Sequence, residues 1–139
     1  MKEKVYKMEN NACPCGSKKT YKECCGIAHN DIRQVKTAEQ LMRSRYSAFT
    51  LANGEYLNLS HHSKTRPQGR RERRDLVKWA KSVKWDHLEV LQAIKGSEDD
   101  VEGVVEFKAY FRDSGGLQVI HEKSTFIKEN GHWVYDTAL

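Results

Sequence analysis

The sequence predicts an α+β fold: three helices packed on a curved, cone-like antiparallel meander of four strands, preceded by a small cysteine knuckle. Three observations predict it. All four cysteines of the 139 residues fall between positions 13 and 25, and apolar residues recur at helical spacing from Thr37 to Val83. From Trp85 onward the period changes to alternation, cut by short turns. Helices followed by a long antiparallel sheet form the arrangement in which helices cover one face of the sheet.

The knuckle comes first in the chain and is the most specific stretch in it. Residues 12–26 read ACPCGSKKTYKECCG, with Cys13 and Cys15 as one close pair and Cys24 and Cys25 as another. Gly16, Ser17 and the lysines between them favour a turn, which brings four thiols to one point. Such a set suits a closed tetrahedral zinc site, with Zn–S distances of about 2.3 Å and no position open to water. Iron fits the same four-thiolate set. Lys18, Lys19 and Lys22 would flank this anionic centre and favour the thiolate forms. Disulfides are the alternative. The start Met-Lys-Glu-Lys is followed by no apolar leader, so the expectation is a cytoplasmic chain, where thiols stay reduced. A redox pair would show Cys-x-x-Cys, and neither pair has that spacing. The expected metal ligands are Cys13, Cys15, Cys24 and Cys25.

This stretch resembles the SEC-C metal-binding motif, a module found at the C-terminus of the SecA translocation ATPase and in small bacterial proteins. The resemblance is carried by Cys13, Cys15, Gly16, Ser17, Lys19, Tyr21, Cys24, Cys25 and Gly26. Two departures stand out: the fourth ligand is Cys25 where the family also uses histidine, and Lys18 stands where the motif often has a second glycine.

Composition bounds the remainder. A hydrophobic content of 38% suffices for one core, the formal net charge is +5, and no stretch approaches the ~20 apolar residues of a membrane span. The division expected is a knuckle with its lead-in over 1–30 and a cone-shaped α+β domain over 31–139. Residues 1–11 carry no periodicity and read as a frayed lead-in. Ile27 to Lys36 reads as a polar connector. Thr37 with Gln40 three residues on marks a capping box, opening a helix to about Ala52. Leu41, Arg45, Ala48, Phe49 and Ala52 form its stripe, and Asn53-Gly54 reads as its left-handed stop. A shorter helix follows from Glu55 to about His62, then a loop through Pro67. Lys64, Arg66, Arg70, Arg71, Arg73 and Arg74 form the densest positive run and lead into a third helix, 71–83, with Trp79 on its core side.

Four strands are expected at about 85–94, 101–112, 117–128 and 132–137, the last two joined by Asn130-Gly131, a type I′ signal. A two-residue turn sets the register: Glu129 faces His132, Lys128 faces Trp133 and Phe126 faces Tyr135. Ile120, Glu122, Ser124, Phe126, Trp133 and Tyr135 then share one face. If that face is concave, Glu122 points inward, and Arg45, Tyr46, His61 and His62 approach it from the helices. Such a set could do acid–base work. It reads equally as an Arg45–Glu122 ion pair fixing helix against sheet, a core tyrosine and a histidine cap.

Beyond the cysteines the chain resembles the YchJ-like family, which joins an SEC-C motif to a domain similar to nuclear transport factor 2. The resemblance rests on AEQLMRSRYSAF at 38–49, His61-His62, Thr65-Arg66-Pro67, Trp79, Trp85, HEKSTF at 121–126 and Gly131-His132-Trp133. Some members carry a further C-terminal metal knuckle, and no cysteine follows Cys25 here. The resemblance implies the cone fold and a metal site. For function it leaves two readings, the first being a cytosolic zinc-binding accessory protein whose basic knuckle meets an acidic partner. That partner would be a SecB-like chaperone or the ribosome, as the similar SecA module implies, with non-specific RNA contact through the 64–74 run. The other is a cone that binds a small molecule or acts as an acid–base enzyme above a purely structural metal site.

Overall fold

The computed structural model describes residues 9–139, so most of the expected lead-in lies outside the described residues. What is described of it is ordered by pairing: Tyr21 N donates to Asn11 O at 2.9 Å, Lys22 N donates to Glu9 O at 3.1 Å, and Ala12 bridges Thr20.

Four helices and four strands follow. Helix α1 (Cys25–Asn30) starts inside the knuckle and leads to a single 3-10 turn, Ile32–Gln34. This corrects the polar connector. Ala28, Ile32 and Val35 are buried, and three apolar residues spread over eight positions give too short a pattern to show a period in the sequence.

Helix α2 (Ala38–Thr50) is the centre of the molecule. Thr37 Oγ1 accepts from Gln40 N at 3.1 Å, as the cap signal predicts, but Gln40 Oε1 accepts from Lys36 N at 2.7 Å, one residue earlier than a capping box requires. Seven of its residues from Leu41 to Ala48 are buried, because the knuckle covers one flank and the sheet another. The helix stops one turn element earlier than Asn53-Gly54. Ala52 takes the left-handed conformation (φ +53°), while Asn53 caps α3 (Gly54–Leu59), its Oδ1 accepting from Tyr56 N at 3.1 Å. An Asn side chain that can cap the next helix is better used there than at a stop. Helix α3 ends before His61. Helix α4 (Arg70–Ser82) begins where Gly69 N donates to Glu72 Oε2 at 3.2 Å.

The sheet is an antiparallel meander in the order β1 (Lys84–Lys95), β2 (Glu102–Asp113), β3 (Gly116–Glu129), β4 (His132–Ala138). Asn130 (φ +53°) and Gly131 (φ +83°) form the predicted turn, and Glu129, Lys128 and Phe126 face His132, Trp133 and Tyr135. Alternation is cleanest on β2, where Gly103, Val105, Phe107, Ala109 and Phe111 are buried on one face. Gly103 has a special place: a Cβ there would lie 2.5 Å from Gly96 Cα and 3.3 Å from Ala38 Cβ, so the first turn of α2 seats on bare backbone. Ala38 N completes the seat by donating to Gly96 O at 2.9 Å. One hydrophobic core results, and it holds Cys13, Cys15, Tyr21 and Cys25 together with Leu41, Leu88, Phe107, Phe126 and Trp133.

Candidate metal centre and adjoining cavity

Local backbone hydrogen bonds shape the knuckle. Cys13 N donates to Lys19 O at 2.8 Å and Gly16 N donates to Cys13 O at 3.1 Å, which turns the first cysteine pair back on itself. Gly16 and Lys18 both sit at positive φ, +82° and +73°. Lys18 thus adopts the conformation that glycine takes without strain. Cys24 N donates to Tyr21 O at 3.0 Å, and a Cβ on Gly26 would come within 2.6 Å of that same carbonyl, so the tight entry to α1 needs glycine.

The four thiol sulfurs lie within 4.8 Å of one another. Cys15 Sγ and Cys24 Sγ are 3.6 Å apart, close to the roughly 3.8 Å tetrahedral edge that a metal–sulfur bond of about 2.3 Å implies. None of the four is in a disulfide. Cys13, Cys15 and Cys25 are buried and Cys24 is half-buried, its sulfur accepting from Ser17 Oγ at 3.1 Å. Cys13 Sγ lies 3.6 Å from Ser47 Oγ of α2. Protons are shared unequally in this cluster: hydrogen bonding from Cys13 holds the Cys15 thiol down and Cys25 lowers Cys24 to about 6, while the contact with Cys15 pushes Cys13 up and the contacts with Cys13 and then Cys15 push Cys25 up. The neighbouring thiols and Ser17, rather than the exposed Lys18, Lys19 and Lys22, set these shifts. Four soft donors with no open position match a closed structural metal site, and the arrangement is consistent with metal binding.

Helix α2 locks the knuckle in place. Arg43 Nη1 donates to Cys15 O at 2.7 Å while its Nε pairs with Glu39 at 3.0 Å. His29, which sequence reasoning passed over, bridges the same helices: Nε2 lies 2.8 Å from Ser44 O, so it must donate, and Nδ1 therefore accepts from the Tyr21 hydroxyl at 2.7 Å. Burial lowers the pKa of this imidazole, which favours the neutral form that the two bonds require. A histidine next to a cysteine motif invites a ligand role, yet both nitrogens are engaged and the thiol cluster excludes it.

A cavity of about 330 Å³ opens on the other side of α2, between helices and sheet. Arg45, Tyr46, His61 and Glu122 all line it, as the inward register implies. His62 does not. Its Nδ1 lies 2.9 Å from Asp136 and its Nε2 lies 3.3 Å from Glu129, so the second histidine ties the segment after α3 to β4 and to the end of β3. His61 packs edge-on against Tyr135, and burial lowers its pKa to about 4. The anticipated Arg45–Glu122 ion pair does not form. Arg45 Nη1 instead donates to Leu57 O at 2.9 Å and Ser60 Oγ at 2.8 Å, with its guanidinium 5.0 Å from the Tyr135 ring, because α3 packs closer to it than β3 does. Burial brings its pKa down to about 10. Tyr46 is buried edge-on against Trp85, and burial raises its pKa. Trp79 is not a core residue; at 36% exposure it stands at the rim of the cavity against Trp85 and Phe111.

A family model of the SEC-C motif matches residues 10–27, and one described as the YchJ middle NTF2-like domain matches residues 37–138. The chain belongs to the YchJ-like family. A UPF0225 protein of Vibrio parahaemolyticus is 44% identical over 125 residues, spanning 90% of this chain and 72% of its own. One from Chromobacterium violaceum is 42% identical over 137 residues, 98% of each chain. Among solved structures, a SEC-C motif containing protein from Psychrobacter arcticus superposes with a TM-score of 0.76 at 30% identity, covering 94% of this chain and 82% of that one. Another from Rhodopseudomonas palustris gives 0.73 at 34% identity, covering 91% and 96%. In this YchJ-like chain the matched SEC-C segment contains all four clustered cysteines. A second groove, of about 550 Å³, runs between α3 and α4 and is lined by Arg70, Arg73, Arg74, Lys78 and Lys81, with Glu55 as its acid. It gathers much of the charge that the sequence places in the 64–74 run. No helix among the described residues is long and apolar enough to cross a membrane.

Proposed function

We propose that this YchJ-like chain is a cytoplasmic zinc-binding accessory protein whose metal-ordered knuckle docks an acidic partner surface, either of a SecB-like chaperone or of the ribosome. The observation that carries it is the cluster of four thiols whose two pairs flank a segment with three exposed lysines, Lys18, Lys19 and Lys22. Zinc is the favoured ion because a four-sulfur set without an open position suits a cation that needs neither redox change nor water. Iron is the competitor with the same ligands. Exposed charges on a rigid scaffold steer association and fix partner choice, and lysines ordered by a metal lose little freedom on docking. The groove along α4 supports a second, salt-sensitive contact with RNA phosphates.

Two measurements test this reading. Elemental analysis of reduced protein is expected to give about one zinc per chain, and a preparation free of tightly held metal would refute the site. With the metal confirmed, Lys18→Glu/Lys19→Glu/Lys22→Glu should abolish binding to an immobilised poly-glutamate peptide and to SecB or ribosomes in co-sedimentation, while zinc content stays unchanged. Undiminished binding by that variant would reject the knuckle as the docking face.

A further inference from the structure

The cavity described above lies apart from the cysteine cluster and is lined by a pair of opposite charges, Arg45 and Glu122. Arg45 is 8% exposed and lies in a pocket walled by aromatic rings, among them Phe49, Trp85, Phe107 and Phe126. Both of its hydrogen bonds to protein leave from Nη1. Among the described residues, nothing accepts from its Nε or Nη2, and no carboxylate forms an ion pair with it. Glu122 faces the same space and receives one long hydrogen bond, from the Tyr135 hydroxyl at 3.4 Å. Arg45 thus keeps donors, and Glu122 acceptors, that no protein group uses, and both residues line the cavity, where a ligand can meet them.

We infer that the cavity is a binding site for a small neutral ring compound carrying an adjacent acceptor and donor, of the cyclic or aromatic amide class. The carbonyl oxygen accepts from the open side of Arg45, the N–H donates to Glu122, and the ring fills the aromatic wall. Charge decides the class. Arg45 and Glu122 sum to zero, and His61 with its lowered pKa is neutral at pH 7, so an anion gains Arg45 but meets Glu122, and a cation meets the reverse. A neutral ligand with both hydrogen-bonding functions satisfies each group and disturbs neither. Size agrees, because about 330 Å³ lies at the small end of the roughly 300–1,000 Å³ of ligand pockets. Apolar walls with few convergent polar groups are the usual composition of such sites.

The test uses the full chain with metal bound and four probes of one ring each: benzamide, benzoate, benzylammonium and toluene. Indole N–H signals of Trp79 and Trp85, both on the cavity wall, are followed by NMR during titration at pH 7, with Trp133 as the reference outside it. The expected result is saturable movement of Trp79 and Trp85, with benzamide binding at least several-fold more tightly than the other three. In Glu122→Gln, which keeps the shape but leaves the cavity with the Arg45 charge alone, benzoate should overtake benzamide. Ala109→Phe, which fills the cavity from β2, should abolish the response in protein whose thermal midpoint shows it to be folded. Failure of all four probes to move Trp79 and Trp85 would overturn the inference, as would benzylammonium binding best, an unchanged order in Glu122→Gln, or undiminished binding by folded Ala109→Phe.

Discussion

Arg45 shows how far a single buried charge can be organised without an ion pair. Its support is Ser60, fully buried, whose hydroxyl donates to Tyr56 O at 2.6 Å and accepts from Arg45 Nη1 at 2.8 Å. Ser60→Ala removes one of the two acceptors of Arg45 Nη1 and leaves one of its N–H groups without a protein partner, which is expected to cost about 2 kcal/mol in urea unfolding. A change below about 0.5 kcal/mol would mean that water or a shift of Leu57 O replaces the bond. The sequence made Arg45 visible as a polar residue in an apolar helical stripe, and it placed Glu122 on the right face. It hid the partners, because Leu57 O is a backbone group and Ser60 a small residue just past the end of α3, and neither leaves a trace in charge patterning.

At the scale of elements, legibility followed the length of the pattern. The four strands were readable because long alternating runs are punctuated by Gly96, Gly115-Gly116 and Asn130-Gly131, and the last turn also fixed the β3–β4 register. Helix α1 was not readable, since six residues beginning at a cysteine and containing glycine offer no helical period. Trp79 was misjudged because a tryptophan at helical spacing marks an apolar wall equally well whether the wall faces core or cavity. Gly103 belongs to the same scale, as the backbone on which α2 rests. Gly103→Ala puts a methyl 2.5 Å from Gly96 Cα, so the β1–β2 end or the helix must move. An expected loss of about 1–3 kcal/mol, typical of forced overpacking, is measurable as a lowered urea midpoint, and an unchanged midpoint would show the seat to be loose.

For the molecule as a whole, the question is whether knuckle and cone unfold separately. The local spacing of the ligands suggests that removing metal should melt residues 12–26 and spare the cone. The packing argues otherwise, since Cys13, Cys15 and Cys25 are members of the same core as Leu41 and Trp133, and His29 and Arg43 bolt the two parts together. A chelator is therefore expected to lower the thermal midpoint of the entire chain in one transition, followed by tryptophan emission, although all three tryptophans lie in the cone. An unaltered tryptophan transition in metal-free protein would restore the picture of an appended module. Sharing one core between an ion site and a fold also makes quantity depend on supply. An ion that binds only the native chain stabilises it by RT ln(1 + [L]/Kd), so each tenfold rise in free metal above Kd adds about 1.4 kcal/mol. The standing amount of intact protein would then be governed by mass action from the metal pool, and a starved cell would lose the cone, its cavity and its basic groove together.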